Sequence, residues 1–392
     1  MSAPRIALVH ERFTEYGGSE AVVAEFMKTW PGAPVFAPIT DPRCTRTLLE
    51  AAGLSPETSG TGGPSALSTP ASELVRDTWL SRAYAAGGRR SHAPLLPFAP
   101  RAFRALPLDD AYDAVVVSHH AFATQAAFAT TAPVIAYVHS PARWAWDSAF
   151  RAREAGGRAG QAVLTGLGAL ARRNELRAAP RLAHVVANSQ AVADRVRDWW
   201  GLPASVVNPP VRVARFAPDP SIEREDFFLF AGRLVPYKRP DLAIAAAQRA
   251  GVRLVILGGG RYRQQLEAMA GPETTFLGAA SDDVLLDMYR RCRALLMPGV
   301  EDFGIVPVEA MACGAPVLAV GAGGALDTVV PGISGEHVPA GTDAAVTDGF
   351  ARAMRDFDPA AYHADTIRKH AATFSPEAFR TRIADIVSRN SR

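Results

Sequence analysis

Long apolar runs and cysteines are scarce in this sequence. No run approaches the roughly 18 apolar residues expected of a membrane-spanning helix. The three cysteines, Cys44, Cys292 and Cys313, are far apart and odd in number, which favours reduced, packed thiols over disulfide bonds or metal ligands. Residues 1–5 lead directly into a strand pattern and lack the layout of a signal peptide. We therefore expect a cytoplasmic protein.

An excess of one charge and recognisable metal sites are missing too. The chain has 42 Lys and Arg against 39 Asp and Glu, a net charge of +3. With no zinc knuckle or aromatic–basic pattern, nucleic acid is not an expected partner. No Asp-x-Asp lies between apolar strands, and no P-loop, G-x-S-x-G elbow or H-E-x-x-H motif is present. We expect no metal and no cofactor, with cationic side chains neutralising any bound diphosphate.

The chain is long enough for two domains. Its 392 residues, 48% of them hydrophobic, can bury two cores. Short apolar strands alternate with helical segments, which is typical of parallel α/β sheets. The predicted strands are 5–10, 34–39, 112–118, 134–139, 184–188 and 205–208 in the first half, and 227–232, 253–258, 274–278, 294–298 and 316–320 in the second.

Proline density marks the boundary between the halves. Residues 208–211 read Asn-Pro-Pro-Val, and a polar, proline-containing stretch follows at 217–221. We predict an N-terminal domain at 1–211 and a C-terminal domain at 212–375. A serine cap followed by proline predicts a last helix within 376–392.

The most informative stretch is 301–309, Glu-Asp-Phe-Gly-Ile-Val-Pro-Val-Glu. Glu301 precedes a helix, and Glu309 is expected about two turns inside it, at roughly 3.6 residues per turn. Pro307 suits the first turn, and Gly314 suits a left-handed exit. The start of such a helix is an anion site. A carboxylate on either side of it fits a nucleotide diphosphate sugar, one acid taking sugar hydroxyls and the other ribose hydroxyls.

A cationic loop follows the first strand of the second half. Arg233 and Lys238 stand in a strand-to-helix turn, at the carboxyl edge where α/β sheets bind ligands. A guanidinium and an ammonium can together hold a diphosphate, whereas the alternative is two solvated surface cations. The glycines at 258–260 lack the G-x-G-x-x-G spacing of a dinucleotide fingerprint.

Two features of the first half are candidates for ligand contact. Gly17 and Gly18 follow the opening strand and precede a helix, where glycine lets the backbone approach a phosphate. His139 ends a strand, where it can reach a sugar hydroxyl or a leaving-group oxygen; a packed or solvent-facing histidine is the alternative. The further strand-end histidines, candidates for the acceptor side, are His10, His119 and His120.

Arginines mix with apolar residues in two stretches, 73–108 and 151–181. Ordinary helices with solvated arginines are the favoured interpretation. The functional alternative is an acceptor cleft whose basic, apolar rim rests on anionic lipid. That alternative would make the protein peripheral on the inner face of the membrane.

The stretch 301–309 resembles the E-x7-E signature of retaining glycosyltransferases of family 4, which have the GT-B fold. Arg233 and Lys238 match the family's G-R-x-x-x-x-K loop. Segment 139–147, His-Ser-Pro-Ala-Arg-Trp-Ala-Trp-Asp, is similar to a subgroup that contains O-antigen mannosyltransferases. The resemblance implies an α/β protein with two Rossmann-like, parallel-sheet domains facing across a cleft. It also implies that the last helix crosses back to the N-terminal domain.

The resemblance further implies a front-face substitution, in which the acceptor approaches the face that the nucleotide diphosphate leaves. Arg233, Lys238 and the helix start would stabilise the leaving diphosphate. The implied sugar contacts are His139, Glu301 and the backbone of Phe303, Gly304 and Ile305. The implied nucleotide contacts are Gly17, Gly18, Gly258, Leu277, Val306 and Glu309, the last holding the ribose.

The expected donor is GDP-mannose, because of segment 139–147, with a UDP-sugar as the alternative. The acceptor is a glycan, a lipid-linked molecule or a small molecule. A catalytically silent sugar-nucleotide or glycan-binding protein of the same fold is a rival interpretation, against which the complete set of motif residues argues. A hydrolysing UDP-sugar epimerase is another, but it would need more acid–base groups around the sugar than the sequence offers.

Overall fold

The computed structural model describes residues 4–54, 71–108, 112–148, 151 and 157–391. The chain divides into two compact units. The first comprises Met1–Asn188, Val192–Pro210 and Phe379–Arg392, and the second comprises Ser189–Ala191 and Val211–Ala378.

Each unit contains one parallel sheet. The strands of the first are β1 Ile6–His10, β2 Val35–Phe36, β3 Val75–Arg76, β4 Ala114–His119, β5 Val134–Val138, β6 His184–Ala187 and β7 Ser205–Val206, in the order β3-β2-β1-β4-β5-β6-β7. Those of the second are β8 Phe228–Ala231, β9 Leu254–Leu257, β10 Thr274–Gly278, β11 Ala294–Met297, β12 Val317–Val320 and β13 Gly335–Val338, in the order β10-β9-β8-β11-β12-β13. The predicted α/β architecture of two Rossmann-like domains is confirmed.

Helices connect these strands. In the first unit the α-helices are Gly18–Thr29, Pro42–Ala51, Ala71–Leu74, Trp79–Ala86, Ala99–Arg104, Arg143–Trp146, Gly157–Ala178 and Gln190–Trp200, with 3-10 turns at Ala93–Phe98, Ala123–Phe128 and Ala179–Arg181. In the second they are Pro240–Ala250, Arg263–Met269, Asp282–Arg291, Ile305–Ala312, Ala325–Thr328, Asp343–Arg355 and Ala364–Ala372, with 3-10 turns at Pro236–Lys238 and Pro359–Ala361, before a last helix Pro376–Asn390. Within the described ranges, no helix has the length and apolarity needed to cross a bilayer.

Both faces of each sheet are covered. Alternate residues of a strand point to opposite faces, and in β1 Leu8 packs in one hydrophobic cluster with Phe26 while Val9 packs in another with Phe103. In β8, Leu229 and Phe230 divide in the same way between two clusters. Burial on both faces is why these strands read as continuous apolar runs in the sequence.

The last helix, Pro376–Asn390, packs on the core of the first unit. Phe379, Ile383 and Val387 recur every four residues, so they form one stripe, and all three are buried in the cluster that contains Phe26 and Tyr137. The ring of Phe379 lies 5.6 Å from that of Phe26. The helix therefore completes a hydrophobic core that is otherwise built from the first half of the chain.

Two edge strands were missed by sequence reasoning. β3 is only two residues long, and its pairing with β2 decides its conformation. β13 begins at Gly335, where φ is +155° and a Cβ would lie 1.8 Å from the carbonyl oxygen of Val317. Both strands lie at the edge of a sheet, where each is hydrogen-bonded to one neighbouring strand and is not buried on both faces. Neither therefore needs a run of apolar residues.

The strand order reverses once in each sheet, between β1 and β4 and between β8 and β11. In open α/β sheets the loops after two such strands separate, which leaves a crevice at the carboxyl edge where ligands bind. His10 and His119 end β1 and β4. The loops that carry Lys238 and Glu301 follow β8 and β11. Both sets of predicted residues therefore stand at a switch point.

Candidate active site

In the second unit, the loop after β8 lies directly on the loop after β9. A Cβ on Gly258 would come within 1.9 Å of the carbonyl oxygen of Gly232, and the φ of Gly258 is +145°. Only glycine fits at this position. The N–H of Leu234 then donates to the carbonyl oxygen of Gly259 at 2.8 Å. This contact fixes the start of the loop that carries Arg233 and Lys238.

The loop after β11 reaches the same place. Lys238 forms a hydrogen-bonded ion pair with Glu301, and both side chains are partly buried. A Cβ on Gly299 would lie 2.7 Å from the Cα of Lys238, so this glycine permits the approach. Gly299 was not among the predicted site residues, because nothing in its sequence context shows which backbone passes beside it.

Tyr237 adds an aromatic hydroxyl to this cluster. Burial raises its pKa, and the negative charge of Glu301 raises it further, while a hydrogen bond with Arg233 and the charge of Lys238 oppose the shift. The phenol therefore stays protonated. Its ring centroid lies 5.8 Å from the Lys238 Nζ. The structure thus brings the exposed Arg233 and the partly buried Lys238 and Glu301 into one charged group around Tyr237.

The helix Ile305–Ala312 begins beside this group. Its N-cap, Gly304, has φ +89°, no side chain caps it, and its first turn carries no acid. Its first N–H groups and positive dipole end are therefore oriented for an anion. Phe303 is buried, and Ile305 and Val306 are half-buried.

A glycine pair on a neighbouring loop supports this helix start. A Cβ on Gly323 would lie 2.4 Å from the carbonyl oxygen of Glu301, and one on Gly324 would lie 2.2 Å from that of Phe303. The N–H of Gly324 donates to the Glu301 carbonyl oxygen at 2.9 Å. Sequence reasoning missed this pair; the only signal was the repeated glycine at 321–324.

Glu309 lies about one turn inside the helix, because the helix begins at Ile305. The predicted depth of two turns was wrong, since it counted from the loop residue Glu301. Glu309 is 9% exposed and accepts a hydrogen bond from the Tyr289 hydroxyl at 3.2 Å. Burial raises its pKa to about 7, against the opposing hydrogen bond from Tyr289 and the charge of Arg212. Gly314 leaves the helix with φ +73°, as predicted.

The loop after β10 borders the same region. Leu277 is 44% exposed although it stands inside a strand. The next residue, Gly278, has φ +77° and accepts a hydrogen bond from the Gly258 N–H at 2.8 Å. An exposed leucine is thus held beside the predicted nucleotide-binding glycine.

In the first unit, His139 belongs to a cluster of imidazoles. Its Nε2 lies 2.8 Å from the Oγ of Ser118, and its ring stacks on His120 at a centroid distance of 4.5 Å. The Ser118 Oγ also lies 2.9 Å from the Nδ1 of His10. Burial lowers the pKa of His139 to about 3. His139 is therefore neutral near pH 7.

His119 has a packing role. Its Nε2 lies 3.1 Å from Glu175 Oε1, and both side chains are fully buried. The same carboxylate accepts hydrogen bonds from the Ala142 N–H at 2.8 Å and the Trp146 indole at 2.5 Å. The Nδ1 of His119 accepts a hydrogen bond from the Thr124 N–H at 3.4 Å, so both ring nitrogens already have a partner. His119 therefore has no ring nitrogen available for the acceptor substrate.

The glycine pair before the first helix is less open than predicted. The N–H of Gly17 donates to the carboxylate of Glu20 at 3.0 Å. Burial disfavours ionisation of Glu20, but its hydrogen bonds with His10 and Ser19 prevail and lower its pKa to about 2. An approaching phosphate would therefore meet a carboxylate at this helix start. The Gly17 N–H is already bonded to Glu20, so it is not available for the phosphate contact predicted for Gly17 and Gly18.

Comparisons with known proteins find glycosyltransferase models that match both halves of the chain. The model of glycosyl transferases group 1 matches residues 214–370, and that of glycosyltransferase family 4 matches residues 63–215. Together the matches run from residue 63 to residue 370, so most of the chain is covered by glycosyltransferase models.

Curated relatives match over part of their length. The D-inositol 3-phosphate glycosyltransferase of Mycolicibacterium smegmatis is 35% identical over 162 residues, 37% of this chain and 36% of that protein. The enzyme of the same name from Mycolicibacterium gilvum is 35% identical over 195 residues, 43% of each chain. The aligned stretch thus spans less than half of the relatives that it matches.

Solved structures match over the whole length at low identity. Anabaena HepE with UDP and glucose has a TM-score of 0.68 and 20% identity, covering 98% of this chain and 100% of its own. Sucrose-phosphate synthase from Thermosynechococcus elongatus has a TM-score of 0.66 and 19% identity, with 98% of both chains covered. Similarity at this level establishes the fold. Among the described residues, no group of three or more His, Cys, Asp or Glu is placed to hold a metal ion.

The raised pKa of Glu309 predicts a pH-dependent stability. The pKa is 4.5 in the unfolded chain and about 7 in the folded protein, so the folded state binds more protons between these values. The contribution of Glu309 is complete below the unfolded pKa and is lost as pH rises through 7. Relative to Glu309→Gln, the native free energy of unfolding should fall by on the order of 1–3 kcal/mol from pH 5 to pH 8.

Urea unfolding of the native protein and Glu309→Gln across this pH range measures the difference. Glu267→Gln, at an exposed glutamate on the helix Arg263–Met269, serves as the control and should follow the native pH profile. A native-to-variant difference independent of pH would show that Glu309 is ionised throughout.

Proposed function

We propose that the protein is a retaining glycosyltransferase that moves a hexose from a nucleotide diphosphate sugar to an acceptor hydroxyl. The observation that carries this proposal is the ion pair of Lys238 and Glu301 beside the uncapped start of the helix Ile305–Ala312. Cations and free N–H groups suit a diphosphate, and the carboxylate suits sugar hydroxyls. All of them belong to one unit and stand at its switch point.

The ion pair indicates how the donor would be received. Lys238 and Glu301 neutralise each other in their ion pair. A bound diphosphate would draw the ammonium, and the carboxylate would turn to the sugar. The backbone at Phe303, Gly304 and Ile305 would orient that sugar from the side of the helix start. Donor binding would therefore exchange one ion pair for two sets of charged hydrogen bonds.

The chemistry proposed is a front-face substitution. Negative charge grows on the diphosphate as the glycosidic bond breaks, and Arg233, Lys238 and the helix start stabilise it. The acceptor hydroxyl attacks the same face, and its proton passes to a leaving phosphate oxygen. These cations provide the positive charge that a metal ion supplies in other transferases, so we propose a reaction that needs no metal and no cofactor.

Nucleotide binding would use the other half of this site. Glu309 would accept the two ribose hydroxyls, in its ionised form. The exposed Leu277, beside Gly258, would pack on the base. Val306 lies in the first helical turn and would contribute its backbone N–H. For His139 we propose the role that the family resemblance implies, a hydrogen bond with a hydroxyl of the transferred sugar.

For the donor we favour a UDP-sugar, with GDP-mannose as the alternative. GDP-mannose was the expectation from segment 139–147, but the relatives and structures reported above do not support it. Anabaena HepE is solved with UDP-glucose, and sucrose-phosphate synthase has the same fold.

An arginine-lined cavity in the first unit is a candidate for acceptor binding. Arg101, Arg104, Arg173 and Arg177 line a cavity of about 480 Å³ in the first unit, and no described carboxylate forms an ion pair with any of them. Phe98, adjoining this cavity, is 51% exposed. We propose that this face contacts the phosphate of an acceptor or an anionic lipid surface. Residues 152–156 of the second basic stretch lie outside the described part of the chain.

Two rival functions share the fold. A silent binding protein would hold a sugar nucleotide without releasing the free nucleotide. A hydrolysing epimerase would release nucleotide without an acceptor and change the sugar. The described charged groups around Lys238 favour leaving-group stabilisation over repeated proton transfer to the sugar.

Nucleotide release with UDP-glucose, UDP-GlcNAc and GDP-mannose tests the proposed reaction. Acceptors should include D-inositol 3-phosphate, free hexoses and lipid extracts. We expect acceptor-dependent release of UDP, a product with the anomeric configuration of the donor, and little change with EDTA or Mg²⁺. Turnover with GDP-mannose alone would restore the expectation from segment 139–147, inversion would contradict the retaining mechanism, and loss of activity in EDTA would contradict metal independence.

Lys238→Ala should slow transfer more than it weakens donor binding, because the diphosphate charge is larger in the transition state than in the bound donor. We expect kcat to fall by about 10²–10³-fold and the donor Kd to rise by less than about 10-fold. Lys369→Ala, at an exposed lysine of the same unit, should match the native enzyme. A weakened donor affinity with an unchanged kcat would indicate that Lys238 only binds the donor.

Glu309→Gln should weaken binding of the donor identified by that assay. A charged hydrogen bond to ribose contributes about 1.5–3 kcal/mol, which is roughly 10- to 100-fold in Kd. Because the carboxylate titrates near pH 7, native affinity should rise from pH 6 to pH 8 while the variant's affinity stays flat. Calorimetry with the intact sugar nucleotide measures both effects. Equal affinities of the two proteins would remove Glu309 from the ribose role.

A further inference from the structure

Four side chains in the first unit form a continuous chain of hydrogen bonds. Glu20 Oε1 lies 3.1 Å from His10 Nε2, His10 Nδ1 lies 2.9 Å from Ser118 Oγ, and Ser118 Oγ lies 2.8 Å from His139 Nε2. The first three are buried and His139 is half-buried. The proposed function uses only His139, so the other three have no assigned purpose.

The direction of the first bond follows from the charge of Glu20. Its carboxylate accepts hydrogen bonds from the Gly17 N–H at 3.0 Å and the Ser19 hydroxyl at 2.8 Å. Together with His10 these partners keep Glu20 ionised, with a pKa of about 2. An ionised carboxylate can only accept. The proton of the first bond is therefore on His10 Nε2.

For a singly protonated His10, the remaining directions follow from proton counting. A neutral imidazole with its proton on Nε2 has a bare Nδ1, which must accept. Ser118 has one hydroxyl proton, and it points to His10. The Ser118 oxygen then has only lone pairs to offer His139, so His139 Nε2 must be the donor. Each bond in the chain thus determines the next.

One nitrogen of His139 is left over. No hydrogen bond to its Nδ1 occurs within the described residues, and this nitrogen is not among the buried polar atoms that lack a partner. It is therefore accessible to a ligand. The ring is held by stacking on His120, and its backbone by the His119 carbonyl and the Asn188 amide, at 3.1 and 2.9 Å.

We propose that Glu20, a singly protonated His10 and Ser118 are positioning residues that hold His139 as the Nε2–H tautomer and present its bare Nδ1 to a ligand hydroxyl. The ligand group must be a hydrogen-bond donor such as a hydroxyl, so an ether, carbonyl or ionised phosphate oxygen is disfavoured at this position. His139 also has no proton on Nδ1 to give, which makes it a hydrogen-bond acceptor rather than a general acid. Only the assignment of that hydroxyl to the donor sugar rests on the proposed function.

Ring-nitrogen NMR of the full-length protein with labelled histidine tests the tautomer directly. Protonated and bare imidazole nitrogens have well-separated ¹⁵N shifts, and His139→Gln identifies the His139 signals. We expect a protonated Nε2 and a bare Nδ1 at pH 7.5, without any ligand. A protonated Nδ1 would overturn the proposal, because it would require the chain to run in the opposite direction from a doubly protonated His10.

Ser118→Ala breaks the chain in the middle. We expect the His139 signals to shift towards a mixture of tautomers. Ser81→Ala is the matched control, since Ser81 is a buried serine of the same unit that accepts from the Thr40 N–H at 2.8 Å. Both variants should lose similar thermal stability, but the control should keep native His139 signals. Unchanged signals in Ser118→Ala would also overturn the proposal.

Kinetics separate this inference from the proposed function. In an active preparation, Ser118→Ala should lower kcat about 10-fold with less than about a 3-fold change in the donor KM, while Ser81→Ala stays native. If Ser118→Ala changes the His139 signals but leaves kcat unaffected, the result would support control of the tautomer by Ser118. It would also remove His139 from the transfer reaction. Loss of activity with an unchanged tautomer would show that Ser118 acts only through stability.

Discussion

Close backbone contact at the carboxyl edge of the second sheet is the constraint on which the candidate site depends. Gly258 lies against Gly232, Gly299 against Lys238, and the pair Gly323-Gly324 against the loop of Glu301. Side chains at these positions would overlap the neighbouring backbone. Without these glycines, the loops after β8, β9, β11 and β12 could not meet, and Lys238 could not pair with Glu301.

Two buried carboxylates of this protein have pKa values shifted in opposite directions. Glu309 is buried beside a neutral phenol, so desolvation prevails and its pKa rises to about 7. Glu20 is buried beside His10 and the Ser19 hydroxyl, and these partners prevail, so its pKa falls to about 2. The first acid is suited to gaining charged hydrogen bonds when a ligand arrives. The second holds a fixed charge that orders the side chains around it.

The predictability of each element follows from what holds it in place. Central strands such as β1 and β8 are buried on both faces, so their apolar runs were recognised. The edge strand β13 has no such run, and it was missed. The signature 301–309 placed a helix and two carboxylates correctly in order, but the first helical residue depends on the conformation of Gly304. The depth of Glu309 was therefore misjudged by one turn.

Residue types and their spacing determined by themselves the α/β class, the succession of strands and the motifs that carry Arg233, Lys238, Glu301 and Glu309, because these are local or periodic properties of the chain. Tertiary structure alone decided which of these groups meet. The pairing of Lys238 with Glu301 joins residues 63 positions apart, and the chain from Glu20 to His139 joins a helix to three strand ends. Such contacts depend on the order of strands in the sheet, which no local pattern encodes.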